Sequence, residues 1–255
     1  MTIALIDRTV LRCTGENVTD WLSGLITNNL TEEINFAALL TPQGKIIADF
    51  FVVKDKDSWL IDVSEKYADM LVKRLSMYKL RAKINIAKTD LCVFAAWDGT
   101  GDEGFSDPRD TRLGRRIYGQ FIDTEADLND YNMFRLRLGI PDSHWDFDTQ
   151  DIFPANANMD RLNGVDFKKG CFVGQEVVSR MYRKTDVKKR MIGFKSASVS
   201  EDTTIKANER VVGEVMHYKD GYGMAMIRLD RLPTTDLPLL AGDITIDLME
   251  LPNGN

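Results

Sequence analysis

Hydrophobic positions divide the chain into short strand-like runs, several helical stretches and a late series of further strand-like pieces. Residues 3–11 are apolar and β-branched and predict a strand. Capping residues at 14–20 then precede Trp21, Leu22, Leu25 and Ile26 at helical spacing. Apolar runs at 36–41 and 46–53 flank Pro42-Gln43-Gly44, the pattern of a hairpin, and residues 59–63 complete a meander. Over 65–80, Tyr67, Met70, Leu71, Leu75 and Tyr78 share one helical face and Lys66, Lys73 and Arg74 the other, so this helix should pack on the meander. Strands at 84–87 and 91–97 lead into an exposed Gly- and Asp-rich loop at 98–111. A helix over 125–138 ends at Gly139-Ile140-Pro141, where glycine accepts a left-handed cap and proline forbids continuation.

After residue 186 the pattern changes to strand-like runs at 191–194, 210–217, 223–227 and 244–251, with turns such as Lys219-Asp220-Gly221. These predict a small antiparallel barrel. The expected organisation is an α+β region over 1–186, made of interleaved lobes, followed by a β-barrel over 187–255.

Composition adds exclusions. Hydrophobic residues make up 44% and charged residues 28% of the 255 positions, the balance of a folded globular chain, and no run approaches the roughly 20 apolar residues of a membrane helix. A net charge of −6 argues against sequence-independent nucleic-acid binding, which rewards a basic surface. The first residues show neither a signal-peptide nor a transit-peptide pattern, and three dispersed cysteines do not make a disulfide framework. A cytoplasmic, reducing setting is expected. Cys13, Cys92 and Cys171, with only His144 and His217 beside them, supply no close set of metal ligands, so any metal cluster would be shared with another chain or transient. A basic run from Lys168 and Lys169 through Arg180, Arg183 and Lys184 to Lys188, Lys189 and Arg190 reads either as a solvated face or as a site for an anionic small molecule.

The segment around Cys171 is the most informative. Gly170 and Gly174 bracket the cysteine, and 175–184 has helical composition with Val177, Val178 and Met181 turned inward. Cys171 then precedes a helix N-terminus, and the dipole with Lys168 and Lys169 would favour its thiolate, the form that attacks electrophiles or binds metals. The alternative is a small buried hydrophobe, the reading that also suits Cys13 and Cys92.

The string Lys169-Gly170-Cys171-Phe172-Val173-Gly174-Gln175-Glu176, with Arg180 beyond it, resembles the signature of the YgfZ family, in which tyrosine is usual where this chain has Phe172. The resemblance extends to Thr27-Asn28-Asn29, the TPQGK run at 41–45, YKLRAKI at 78–84, Gly139-Ile140-Pro141, MDRLNGVDF before the signature and MAMIRLDR at 224–231. It implies a three-lobed fold like the T-protein of the glycine cleavage system, with a central channel for tetrahydrofolate or a one-carbon derivative, and a role in iron-sulfur cluster assembly or repair. It further implies Asn28, Asn29, Asp49, Arg135 and Arg137 as folate contacts, Cys171 as the reactive group, and iron-sulfur client or assembly proteins as partners. Against the T-protein pattern, Ala48 stands where a paired aspartate is expected and Arg135-Leu136-Arg137-Leu138-Gly139 lacks the pterin-contacting acid. Aminomethyl transfer is thereby weakened as a function. A folate-dependent one-carbon transferase and a non-enzymatic client-binding scaffold are the alternatives to a folate-binding assembly factor.

Overall fold

A computed structural model describes residues 1–184, 187–235 and 237–252. In chain order the elements are β1 (Thr2–Leu5), β2 (Arg8–Gly15), α1 (Val18–Ser23), β3 (Ile34–Leu40), β4 (Ile46–Asp55), β5 (Ser58–Ser64), α2 (Glu65–Tyr78), β6 (Ile84–Lys88), β7 (Cys92–Trp97), β8 (Phe105–Ser106), β9 (Arg115–Gly119), α3 (Leu128–Arg137) and α4 (Gln175–Lys184). The last six strands are β10 (Lys189–Ser196), β11 (Thr204–Ala207), β12 (Arg210–Lys219), β13 (Tyr222–Arg228), β14 (Leu239–Ala241) and β15 (Ile244–Leu248).

Strands β3-β4-β5-β2-β6 form a five-stranded antiparallel sheet, β1-β7-β9-β8 a second sheet, and β10-β13-β12-β11-β14-β15 a closed barrel. The single strand expected over 3–11 is two strands in different sheets. β1 pairs with β7, the backbone turns sharply where the Arg8 amide donates to the Ile6 carbonyl at 2.8 Å, and β2 enters the larger sheet. The first helix is shorter than its apolar spacing suggests and stops at Gly24. Within and just after the expected loop at 98–111 lie β8, a 3-10 turn over Thr111–Leu113 and β9.

Residues 46–53 are buried without interruption because both faces of the large sheet are covered. On one face Leu11, Cys13, Phe50, Val52 and Ile61 meet Leu22 of α1 and Leu71 and Leu75 of α2. On the other, Val10, Phe36, Phe51 and Leu60 share a core with Ala95 and Trp97 of the second sheet, Leu136 of α3, Phe172, Val178 of α4 and the barrel's Met191 and Met224. That second face is the junction of the lobes. α3 begins with a capping box in which Asp127 accepts from the Asn129 and Asp130 amides. It also ties to the barrel, where Asn132 Nδ2 lies 3.0 Å from His217 Nε2 and His217 Nδ1 lies 2.7 Å from Glu201.

Candidate functional site

Cys171 is exposed, on a loop between a long irregular crossing and α4. Three sequence motifs, far apart along the chain, converge to hold that loop. The Thr27 amide carbonyl accepts from the Asp166 amide at 3.0 Å, and Thr27 Oγ1 donates to the Gly164 carbonyl at 2.6 Å. Asn29 Nδ2 donates to Asp166 Oδ2 at 2.5 Å, while the Lys168 amide donates to Asp166 Oδ1 at 2.7 Å. Lys169 is buried, and its Nζ donates to the carbonyls of Ser23 at 2.7 Å, Ile26 at 2.7 Å and Asn28 at 2.9 Å.

On the far side of Cys171, Gly174 adopts φ +81° and packs against the 41–45 turn, where a Cβ on Gly174 would lie 2.7 Å from the Thr41 carbonyl oxygen. Gly44, at φ +80°, lies against Gly174 and the Val177 side chain, which a Cβ would meet at 3.0 Å. These two glycines let the 41–45 turn and the Cys171 loop meet backbone to backbone, with no room for a Cβ on Gly174 between them. Gly170 differs from expectation, since a Cβ there would meet nothing within 4 Å.

The sequence placed Lys169 beside the thiol as an activating cation; its three ammonium donors are instead committed to main-chain carbonyls. Burial pushes the Lys169 ammonium down to about 8, with Asp166 opposing. Phe172 points into the junction core and needs no hydroxyl there. Lys168, Arg180 and Glu176 are exposed and Gln175 is half-buried at the start of α4. Tyr182 is exposed and stacks on Phe167 at 3.7 Å. Of the expected basic run, Lys188 and Lys189 are exposed, whereas Arg190 is buried in a two-pronged pair with Asp160 at 2.8 and 2.7 Å; the side chains of Arg183 and Lys184 lie outside the described residues. Cys13 is buried, which raises its thiol to about 12 against a small lowering by Lys79, and Cys92 is half-buried. Among the described residues no three His, Cys, Asp or Glu side chains are grouped as a metal site.

The junction itself carries a second polar cluster, which sequence reasoning missed. Asp62 accepts from Arg8 Nε at 2.6 Å, from Arg116 Nη2 at 2.6 Å and from Tyr118 at 2.9 Å. Arg109 donates to Asp107 at 2.9 Å and to the Tyr131 hydroxyl at 3.0 Å. The guanidinium carbons of Arg116, Arg109 and Arg8 stand 3.8, 5.0 and 5.5 Å from the Phe51 ring centre. Asp49 is buried on the same sheet face with Oδ1 unpartnered among the described residues, and burial followed by the nearby Asp142 pushes its carboxyl up. Asp142 is held far below the usual range, because Arg135, Arg109 and Arg8 outweigh the effect of its burial.

The residues expected as folate contacts are distributed as follows. Asn28 and Asn29 belong to the scaffold of the Cys171 loop, with Asn28 Nδ2 donating to the Phe36 and Asn163 carbonyls at 3.0 and 2.6 Å. Arg135 is buried and engages Asp146 at 2.5 and 2.9 Å and the Ile140 carbonyl at 3.0 Å. Arg137 is exposed and lies 5.8 Å from the Tyr222 ring. Ala48 points into the helix-side core, so an acid there would not face Asp49 across the junction. The hollow lined by Arg8, Arg116, Tyr131, Asp142, His144 and Trp145 measures about 20 Å³, room for one or two waters, where a drug-sized ligand needs some 300 Å³ or more. As it stands this hollow is smaller than tetrahydrofolate, and no chemical step is routed through that cofactor.

The fold and the clamped cysteine define a class: a glycine cleavage T-protein-like scaffold, closed by a six-stranded barrel, that displays one thiol at its surface. Residues 188–251 match the family model described as CAF17, C-terminal beta-barrel domain. The chain is 29% identical over 227 residues to a protein of Neurospora crassa named iron-sulfur cluster assembly factor IBA57 homolog, mitochondrial, covering 74% of this chain and 52% of that protein. A like-named protein of Mycosarcoma maydis is 29% identical over 219 residues, covering 72% and 54%. The chain thus spans about half the length of the curated relatives it matches. Among solved structures, the glycine cleavage system aminomethyltransferase T of Bartonella henselae superposes with a TM-score of 0.68 over 98% of this chain and 85% of that one, at 13% identity. The expected α+β, T-protein-like fold with a terminal barrel is therefore present. At the level of names, the relatives are IBA57 homologues and not members named for the YgfZ signature. The cytoplasmic expectation is overturned by the same relatives, which are named mitochondrial.

Proposed function

We propose that this chain supports iron-sulfur cluster assembly or repair by lending Cys171, as a thiolate, to a cluster or sulfur centre held mainly by a partner protein. The observation that carries this reading is the exposed Cys171 on a loop clamped from both sides, by Lys169 and Asp166 before it and by Gly174 after it. A cluster takes four ligands in the common cases, and the other two cysteines are buried or half-buried. The remaining ligands then come from the client or carrier, and the thiol gives up its proton as the metal–sulfur bond forms. The similarity to proteins named as iron-sulfur cluster assembly factors supports the same direction.

Aminomethyl transfer gains nothing from Ala48 and Arg137, which occupy the positions of the missing acids: Ala48 lies in the helix-side core and Arg137 is an exposed cation. The test is complementation of cells lacking the protein. Cys171→Ser should abolish recovery of iron-sulfur enzyme activity at normal protein abundance, while Cys13→Ser and Cys92→Ser should restore it. Full recovery with Cys171→Ser would replace the thiolate reading with that of a client-binding scaffold.

A further inference from the structure

We propose that Lys169 is the positioning residue of the Cys171 loop, a buried latch that fixes the loop to the end of α1 and so sets the direction in which the thiol is presented. An ammonium is the one side-chain group whose three donors diverge from a single atom, and three carbonyls stand at 2.7, 2.7 and 2.9 Å from it. Those carbonyls belong to Ser23, the last residue of α1, and to Ile26 and Asn28 in the turn that follows it. Without Lys169 all three lose this donor, the buried Ile26 carbonyl at the greatest cost. The Lys169 stem runs from the loop to this turn, and its Nζ also lies 5.4 Å from the Phe172 ring centre. Lys169 and Phe172, on either side of the exposed Gly170-Cys171 pair, are therefore both buried anchors.

Arginine cannot reproduce the latch. Its planar fork spreads its donors over three nitrogens and suits a carboxylate better than a cup of carbonyls. Asp166 adds a second tie to the same turn through Asn29. It leaves the Lys169 carbonyls untouched.

The importance of the latch for activity rests on the thiolate reading above, but its existence is tested separately by hydrogen exchange on the full-length chain. In the unaltered protein, the hydrogen-bonded amides at 24–29 and at 166–168 should open as one unit, with matching protection. In Lys169→Met, exchange over these two segments should rise at least about tenfold, the effect expected of losing one buried hydrogen-bonded group, while β2 to β5 keep their protection. Peptide-resolved alkylation of Cys171 should change rate in the same variant, Lys169→Arg should restore only part of the protection, and iron-sulfur client activity should fall severalfold. Independent, fast exchange of 166–168 in the unaltered chain would overturn the latch, as would unchanged exchange in Lys169→Met. If exchange behaves as expected and client activity is insensitive to both Lys169→Met and Cys171→Ser, the latch stands and the thiolate reading fails.

Discussion

Replacing Asp62 by asparagine tests the junction most directly. The side chain is fully buried and serves two guanidiniums and a phenol at once. Asparagine keeps the shape but removes the charge, leaving Arg8 and Arg116 uncompensated in a desolvated site. Breaking a buried pair in this way costs about 3–5 kcal/mol. Asp107 stands 3.5 Å from Arg116 and softens the loss, so the lower figure of about 3 kcal/mol applies. For a chain of this size each kcal/mol moves the melting temperature by roughly 2–4 °C, giving a drop of about 6–12 °C. The pH dependence follows from the sign of the Asp62 shift. Burial pushes the carboxyl up, but Arg116 and Arg8 outweigh it and hold the folded value below the ordinary one. Its stabilisation is therefore complete above the unfolded value of about 3.9 and is lost as pH falls through the folded value. Thermal unfolding followed by circular dichroism should show a constant gap between the two proteins from about pH 5 to 8 and a shrinking gap in more acid solution. A variant melting with the parent at pH 7, or a gap that widens in acid, would refute the ionic account of the junction.

Three further outcomes follow from the geometry. Iodoacetamide at neutral pH should label Cys171 first and Cys92 more slowly, with Cys13 protected until unfolding because burial raises its thiol to about 12; peptide mass spectrometry reads the order, and rapid labelling of Cys13 in the folded chain would contradict the packing of α1 and α2. Gly174→Ala should destabilise by about 1–3 kcal/mol, because φ +81° and the Thr41 carbonyl at 2.7 Å both oppose a Cβ, while Gly170→Ala should be close to neutral in urea unfolding; equal effects would remove the argument for backbone contact at the 41–45 turn. Calorimetric titration with tetrahydrofolate should give no saturable heat at micromolar concentration, and saturable one-to-one binding would show that the junction opens wider than the 20 Å³ hollow.

What the sequence determined by itself is what depends on neighbours along the chain. The helical face of Tyr67, Met70, Leu71 and Leu75, the helix stop at Gly139-Ile140-Pro141, the hairpin around Pro42-Gln43-Gly44 and the change to short strands after residue 186 all appear in the structure, because turn chemistry and periodicity are local properties. The separate standing of Cys171 was equally legible from its glycine-flanked setting. Tertiary structure alone decided where the charges went. No periodicity along the chain marks Arg8, Asp62 and Arg116 as partners, yet strand pairing and the approach of the second sheet bring them together, 54 residues apart on each side. Lys169 likewise reads as one of a basic run, and only the approach of α1 supplies the three carbonyls that bury it. A charged side chain can be buried only where partners arrive from elsewhere in the fold, and their arrival is a property of three-dimensional packing that no local pattern records.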